Sequence, residues 1–121
     1  MDRDIILYNG VIRMVMIETF VRPEKAETVL SELANQGFFA ATRAGVLGRG
    51  KQKGLKVQSV YYDELPKELI MMVVQDEEEQ KVIDIIIKSA RTGKDGAFGD
   101  GKIFVTPVKT AYTISTAAEG L

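Results

Sequence analysis

Two successive strand–helix–strand patterns predict an α+β fold for this 121-residue chain, the ferredoxin-like βαββαβ sandwich. Three observations carry the prediction. Short apolar segments of strand length alternate with two amphipathic segments, the helical segments carry their own start and stop residues, and a long glycine- and lysine-rich stretch separates the second strand from the third. In such a fold the sheet is antiparallel and both helices cover one face.

The elements follow in order. MVMIETFV, residues 14–21, is short, apolar and bounded by Arg22-Pro23, as a buried strand is. Pro23 suits the first turn of a helix, where its missing N–H costs nothing. Ala26, Val29, Leu30 and Leu33 repeat at helical spacing, and Gly37 stands where a C-terminal cap belongs. FFAATRAGVL, residues 38–47, reads as the second strand, and residues 48–65 read as one long loop. ELIMMVV, residues 68–74, is the third strand. Asp76 then opens a second helix on an acidic run, with Asp76 and Glu79 spaced like a capping box. Its apolar stripe is Val82, Ile83, Ile86, Ile87 and Ala90, and Lys88, Arg91 and Gly93 mark its end. TGKDGAFGDGK leads into a fourth strand at 103–108, and residues 111–116 suggest one more short strand. The strands at 14–21 and 68–74 are apolar on both sides, so a second layer is needed over the face that the helices leave open, which predicts an oligomer.

Composition excludes several functions. Net charge is -1, so no global basic field draws the chain to nucleic acid, and the aromatics are not arranged as base-stacking pairs. The sequence has no cysteine and no histidine, which removes thiol chemistry, disulfides, imidazole catalysis and most transition-metal sites. A metal would have to be a hard, oxygen-bound ion such as Mg²⁺. No apolar run approaches the ~20 residues of a membrane span, and the start MDRDIILYNGVIR is too acidic for a signal peptide, so a cytoplasmic location is expected. No nucleophile stands beside a base, which disfavours catalysis; hydrolysis of an acyl phosphate by an anion-binding loop and an amide side chain stays open as the enzymatic alternative.

Two segments share one chemistry: GRGKQKG at 48–54 and GDGK at 99–102. Glycines let backbone N–H groups converge on an anion, and lysines add point charge. Either segment alone reads as a solvated turn; two in one small domain point to a polyphosphate. Gln52 and Lys67 read either as surface residues or as ligand contacts. Asp63-Glu64 could meet a metal or a partner.

These residues resemble the PII family of nitrogen-regulatory signal proteins. Residues 48–54 are similar to the start of its T-loop, G-x-G-R-Q-K-G, and Leu65-Pro66-Lys67 to that loop's L-P-K exit. Thr92-Gly93-Lys94, followed by Gly99-Asp100-Gly101-Lys102-Ile103-Phe104-Val105, resembles the B-loop signature T-G-x-x-G-D-G-K-I-F-V. GRGKQKG, YYDELPK and AYT look like the subgroup associated with nitrogen fixation, which regulates nitrogenase.

The resemblance implies a homotrimer, or a mixed assembly with a sister subunit, that binds ATP or ADP in clefts between subunits and 2-oxoglutarate with Mg-ATP at the T-loop base. It assigns the nucleotide to Thr42, Gly48, Gly50, Lys51, Thr92, Gly99, Asp100, Gly101 and Lys102. It assigns the effector to Gln52, Lys53, Gly54 and Lys67, with Gln52 also on Mg²⁺. The two glycine-lysine segments are expected to converge across a subunit boundary. The sequence departs from the family in three ways. Residues are inserted within DGAF of the B-loop, Thr113 and Ser115 stand where arginines usually neutralise phosphates, and the T-loop is shorter, with Tyr61 and Tyr62 read as partner contacts. The match starts at Met14, which makes residues 1–13 an extension and 14–121 the domain.

Overall fold

The computed structural model describes residues 14–49 and 64–121. The expectations for residues 1–13, and for Gly50, Lys51, Gln52, Lys53, Gly54, Tyr61, Tyr62 and Asp63, lie outside the described residues. The elements are β1 (Met14–Val21), α1 (Pro23–Asn35), β2 (Thr42–Arg49), β3 (Glu64–Gln75), a 3₁₀ turn (Asp76–Glu78), α2 (Glu79–Ala90), β4 (Gly101–Val108) and two short strands, β5 (Tyr112–Thr113) and β6 (Ala118–Glu119). The main sheet has the order β2-β3-β1-β4 and is antiparallel throughout, the ferredoxin-like arrangement.

β1 lies inside the sheet, paired with β3 on one side and β4 on the other, Ile17 opposite both Met72 and Val105. Side chains alternate across a strand, so Val15, Ile17 and Val21 point to one face together with Ile70, Met72 and Val74 of β3. Ala26, Val29 and Leu33 of α1 and Val82, Ile86 and Ala90 of α2 complete that core. The opposite face carries Met16, Glu18 and Phe20 half-buried, and Phe104 half-exposed. Phe20 and Phe104 meet there edge to face, their centroids 6.2 Å apart.

α1 begins and ends as its residues dictate. Pro23 takes the first helical position after the extended Arg22. Gly37, at φ 92°, enters the left-handed region, donating to the carbonyl of Ala34 while Phe38 donates to that of Leu33, a Schellman closure. The second strand starts later than its sequence suggests, at Thr42 and not at residue 38. The second helix is capped one residue earlier than expected. Glu78, not Glu79, reaches back 3.2 Å to a backbone N–H, that of Gln75, because β3 stays extended through Gln75 and leaves that residue as the cap. Residues 111–116 are not one strand: only Tyr112–Thr113 pairs, with Ala118–Glu119, in a small hairpin of its own.

β2 and β3 run further than the predicted loop limits, to Arg49 and from Glu64. β1 stops at Val21 opposite Glu68, so residues 64–67 pair with β2 alone. Pro66, which has no N–H to give, is tolerated there because, among the described residues, one side of the ribbon has no strand beside it. Among the described residues no helix is long and apolar enough to cross a membrane.

Leu33 is fully buried between the helices and the sheet. Leu33→Ala should lower unfolding free energy by about 2–5 kcal/mol, measured by urea unfolding at a fixed chain concentration.

Candidate functional site

The site is built where β1 ends and β4 begins, which the register places side by side: Val21 pairs with Gly101. Gly101 can only be glycine here. Its φ is 128°, and a Cβ would overlap the Phe20 carbonyl oxygen. That close approach brings the loop between α2 and β4 over the end of β1.

Asp100 organises this loop. Its carboxylate accepts from the Thr92 hydroxyl at 2.6 Å, the Thr92 N–H at 2.9 Å, the Ala97 N–H at 2.7 Å and Arg22 Nε at 3.0 Å. Burial alone would raise its pKa, but the bonds from Thr92, Ala97 and Arg22 outweigh that and hold the carboxyl well below the usual carboxylate range. The inserted residues of the loop are thereby tied into the same network through Ala97. Thr92 and Asp100 are brought together, and their polar atoms are turned toward each other.

Two cations grip the next two carbonyls. Arg22 Nη2 donates to Phe98 O at 2.8 Å, and Lys67 Nζ donates to Gly99 O at 2.7 Å. In a trans peptide the N–H points opposite to the carbonyl, so holding Phe98 O against Arg22 turns the Gly99 N–H the other way. Gly99 itself, at φ 96°, makes room for Arg22: a Cβ would stand 3.2 Å from Nη2. Lys102 follows on β4 with its ammonium unpartnered among the described residues. An outward-turned amide, two glycines and an uncommitted lysine suit an anion.

Lys67 also joins the second segment. Its Cγ lies 3.3 Å from where a Cβ of Gly48 would be, so the bare glycine on β2 gives the lysine stem its passage toward Gly99. Gly48, Lys67 and Gly99 therefore converge within one chain. Next along the ribbon Arg49 bonds Glu64, its cross-strand partner, at 2.8 Å. Thr42 is not part of this convergence. It pairs with Met71 at the other end of β2, roughly 20 Å from Gly48 at ~3.4 Å per residue.

Sequence reasoning passed over Arg22, treating it as the boundary before Pro23. Its signal was a cation placed between an apolar strand and a helix-starting proline, but only the sheet order places that strand end beside the loop.

Comparison with known proteins decides what this arrangement belongs to. The family model described as nitrogen regulatory protein P-II matches residues 14–118. The chain belongs to the PII family. A "Nitrogen fixation nifHD region glnB-like protein 1" from Methanococcus maripaludis is 54% identical over 108 residues, 89% of this chain and 100% of that protein. A protein of the same name from Methanobacterium ivanovii is 48% identical over the same shares. Among solved structures, Arabidopsis thaliana PII bound to citrate superposes with a TM-score of 0.71 at 31% identity, covering 89% of this chain and 86% of that one. The resemblance to the nitrogen-fixation subgroup thus holds, and the chain is a PII-type nitrogen regulatory protein rather than an enzyme. In PII terms, Asp100 and Arg22 shape the B-loop, and Lys67 ties it to the root of the T-loop.

Two outcomes follow for this loop. Gly101→Ala should disorder the B-loop, seen as lost amide protection of residues 97–101 in hydrogen exchange. Because the Asp100 pKa is depressed in the folded chain, its contribution is complete above the ordinary carboxylate pKa of about 3.9 and is lost as pH falls below it. Asp100→Asn should therefore be less stable at pH 7 and show a flatter fall in stability between about pH 4 and lower values, read by pH-dependent unfolding.

Proposed function

We propose that this PII protein senses ATP or ADP together with 2-oxoglutarate and controls a target protein, nitrogenase, through its T-loop. The observation that carries this reading is the Lys67–Gly99 bond beside Gly48, which joins the T-loop root to the B-loop in a single contact. Ligands that favour one arrangement of that junction can shift the loop between two states, provided they bind the two with different affinity.

The described residues fit a nucleotide phosphate. Gly99 turns its N–H outward, Gly101 leaves backbone bare, and Lys102 is uncommitted. Asp100 and Thr92 act as positioning residues, since their polar atoms are spent on each other and on the loop. Gly48, Gly50 and Lys51 would complete the nucleotide contacts from the T-loop side. Mg²⁺ would be held by the phosphates and the carbonyl oxygen of Gln52, and would supply charge neutralisation between nucleotide and effector. Lys67, with Gln52, Lys53 and Gly54, would receive the 2-oxoglutarate. An ammonium has three donors, so bonding Gly99 O leaves Lys67 able to meet a carboxylate as well. The citrate named for the Arabidopsis protein supports a carboxylate-binding site in this family.

Assembly completes the site. Thr42 stands far from the B-loop of its own chain, so it reaches a nucleotide only if that nucleotide lies between subunits. The open sheet face, with Phe20 and Phe104, offers the apolar surface for a trimer with like or sister subunits. Thr113 and Ser115 bring no charge. Lys102 then carries more of the phosphate neutralisation, or a sister subunit contributes it. The location in this reading is the cytoplasm.

Calorimetry with Mg-ATP and 2-oxoglutarate should show that each tightens the other, and Gln52→Ala should abolish the effector's share while leaving ATP binding in place. Equal 2-oxoglutarate affinity with and without Mg-ATP would contradict the reading. No ATP binding at all would favour instead a divergent regulator that has lost its nucleotide, the outcome Thr113 and Ser115 suggest.

A further inference from the structure

A cavity lies on the helix-covered side of the sheet, between α2 and the β1–β4 pair. It is a cleft of about 410 Å³, within the range of small-molecule sites. Its walls are Ile83, Ile86 and Ile87 of α2 and Ile103 and Val105 of β4. The register puts Thr19 opposite Ile103 and Ile17 opposite Val105, so these residues belong to the helix-covered face. Phe104 alternates with them onto the opposite face, and Phe20 and Lys102, paired across the two strands, alternate likewise but also line the cleft. The cleft is thus centred on the helix-covered face, although Phe20 and the B-loop residues Asp100, Gly101 and Lys102 also line it.

Two features separate it from an ordinary packing gap. Thr19 lines the cleft and is 1% exposed, and among the described residues its hydroxyl has no hydrogen-bond partner. Buried side-chain polar groups nearly always have one, so an orphan facing a cavity asks for an acceptor from outside the chain. Arg91 stands at the B-loop end of the cleft. Among the described residues its guanidinium meets no carboxylate, and the one hydrogen bond it makes, to Lys94 O, is long at 3.4 Å. Asp100, which also borders the cleft, is already matched by Arg22 and three further donors and does not answer Arg91.

From this chemistry we propose that the cleft binds a small amphiphilic anion, a monocarboxylate with an apolar body. The body would lie on the isoleucine and valine walls. The carboxylate would meet the Arg91 guanidinium and supply the acceptor that the Thr19 hydroxyl lacks. The mostly apolar walls suit an apolar body better than a polyphosphate, and of the two cations that line the cleft, Arg91 and Lys102, Lys102 is the one assigned to the nucleotide phosphate in the proposed function. Since Asp100 and Gly101 form one end, occupancy would also bear on the B-loop from beneath.

The test uses the full-length protein and the fluorescent probe anilinonaphthalene sulfonate, an aromatic body with one negative charge. Saturable binding of one probe per chain is expected, displaced by octanoate at roughly tenfold lower concentration than by uncharged octan-1-ol. Ile87→Trp, on the exposed rim of α2, should fill the cleft and weaken the probe roughly tenfold, with circular dichroism and ATP calorimetry unchanged. Arg91→Ala should erase the preference for octanoate over octan-1-ol. Thr19→Val, which keeps the shape and removes the donor, should weaken octanoate roughly fivefold. Absence of a saturable site, binding that Ile87→Trp leaves intact, or binding lost in Phe104→Ala on the opposite face would overturn the proposal. So would unchanged octanoate affinity in Thr19→Val. The ATP measurement on the same variants keeps this result separate from the sensor reading.

Discussion

The site depends on one approach of backbone to backbone, where Gly101 passes under the Phe20 carbonyl. No side chain fits there, and the φ of 128° asks for glycine in any case. That contact lets β4 start level with the end of β1 and throws the preceding loop across the strand terminus. Arg22, at that terminus, then meets Asp100 and Phe98. Asp100 in turn collects Thr92 and Ala97, so one carboxylate sets the path of the whole loop. The charge is satisfied by four donors, which is why a mostly buried aspartate stabilises the turn instead of straining it.

The B-loop and the T-loop root are far apart in sequence and share one lysine in space. Lys67 can play this part because three constraints coincide. β3 extends back past the end of β1, so among the described residues its first residues pair with β2 alone. Gly48, across the ribbon, has no side chain to block the lysine stem. Gly99 presents a carbonyl within 2.7 Å of the ammonium. A junction made of one ammonium and one carbonyl is weaker than a packed interface, as a switch requires, because a carboxylate or phosphate can compete for the same donor.

Much of this was legible in the residues, for local reasons. Pro23 and Gly37 mark the limits of α1 because each has a backbone property that no other residue shares. The apolar stripe of α2 and the strand at 14–21 follow from periodicity alone. The misplacements have physical causes too. Residues 38–41 look like strand because Phe38 and Phe39 are apolar, yet Phe38 is taken by the closure of α1, and pairing begins only at Thr42. Glu79 looks like the capping residue by spacing, but the cap is set by where β3 ceases to be extended, and that is Gln75. Leu65-Pro66-Lys67 looks like loop because proline weakens a strand, and the structure keeps it in a ribbon whose free side tolerates it.

By itself the sequence determined the main element types, the limits of α1, the two glycine-lysine segments and the family signature, because each rests on spacing or on the backbone chemistry of single residues. Only the tertiary structure decided which strand ends lie together. From that came the role of Arg22, the capture of Gly99 by Lys67, the saturation of Asp100, and the separation of Thr42 from the rest. The physical reason is the strand order β2-β3-β1-β4, which brings together residues far apart in the chain, among them Arg22 and Asp100, 78 positions apart. No local pattern encodes such pairings; they exist once the core of isoleucines, valines and leucines has brought the strands into register.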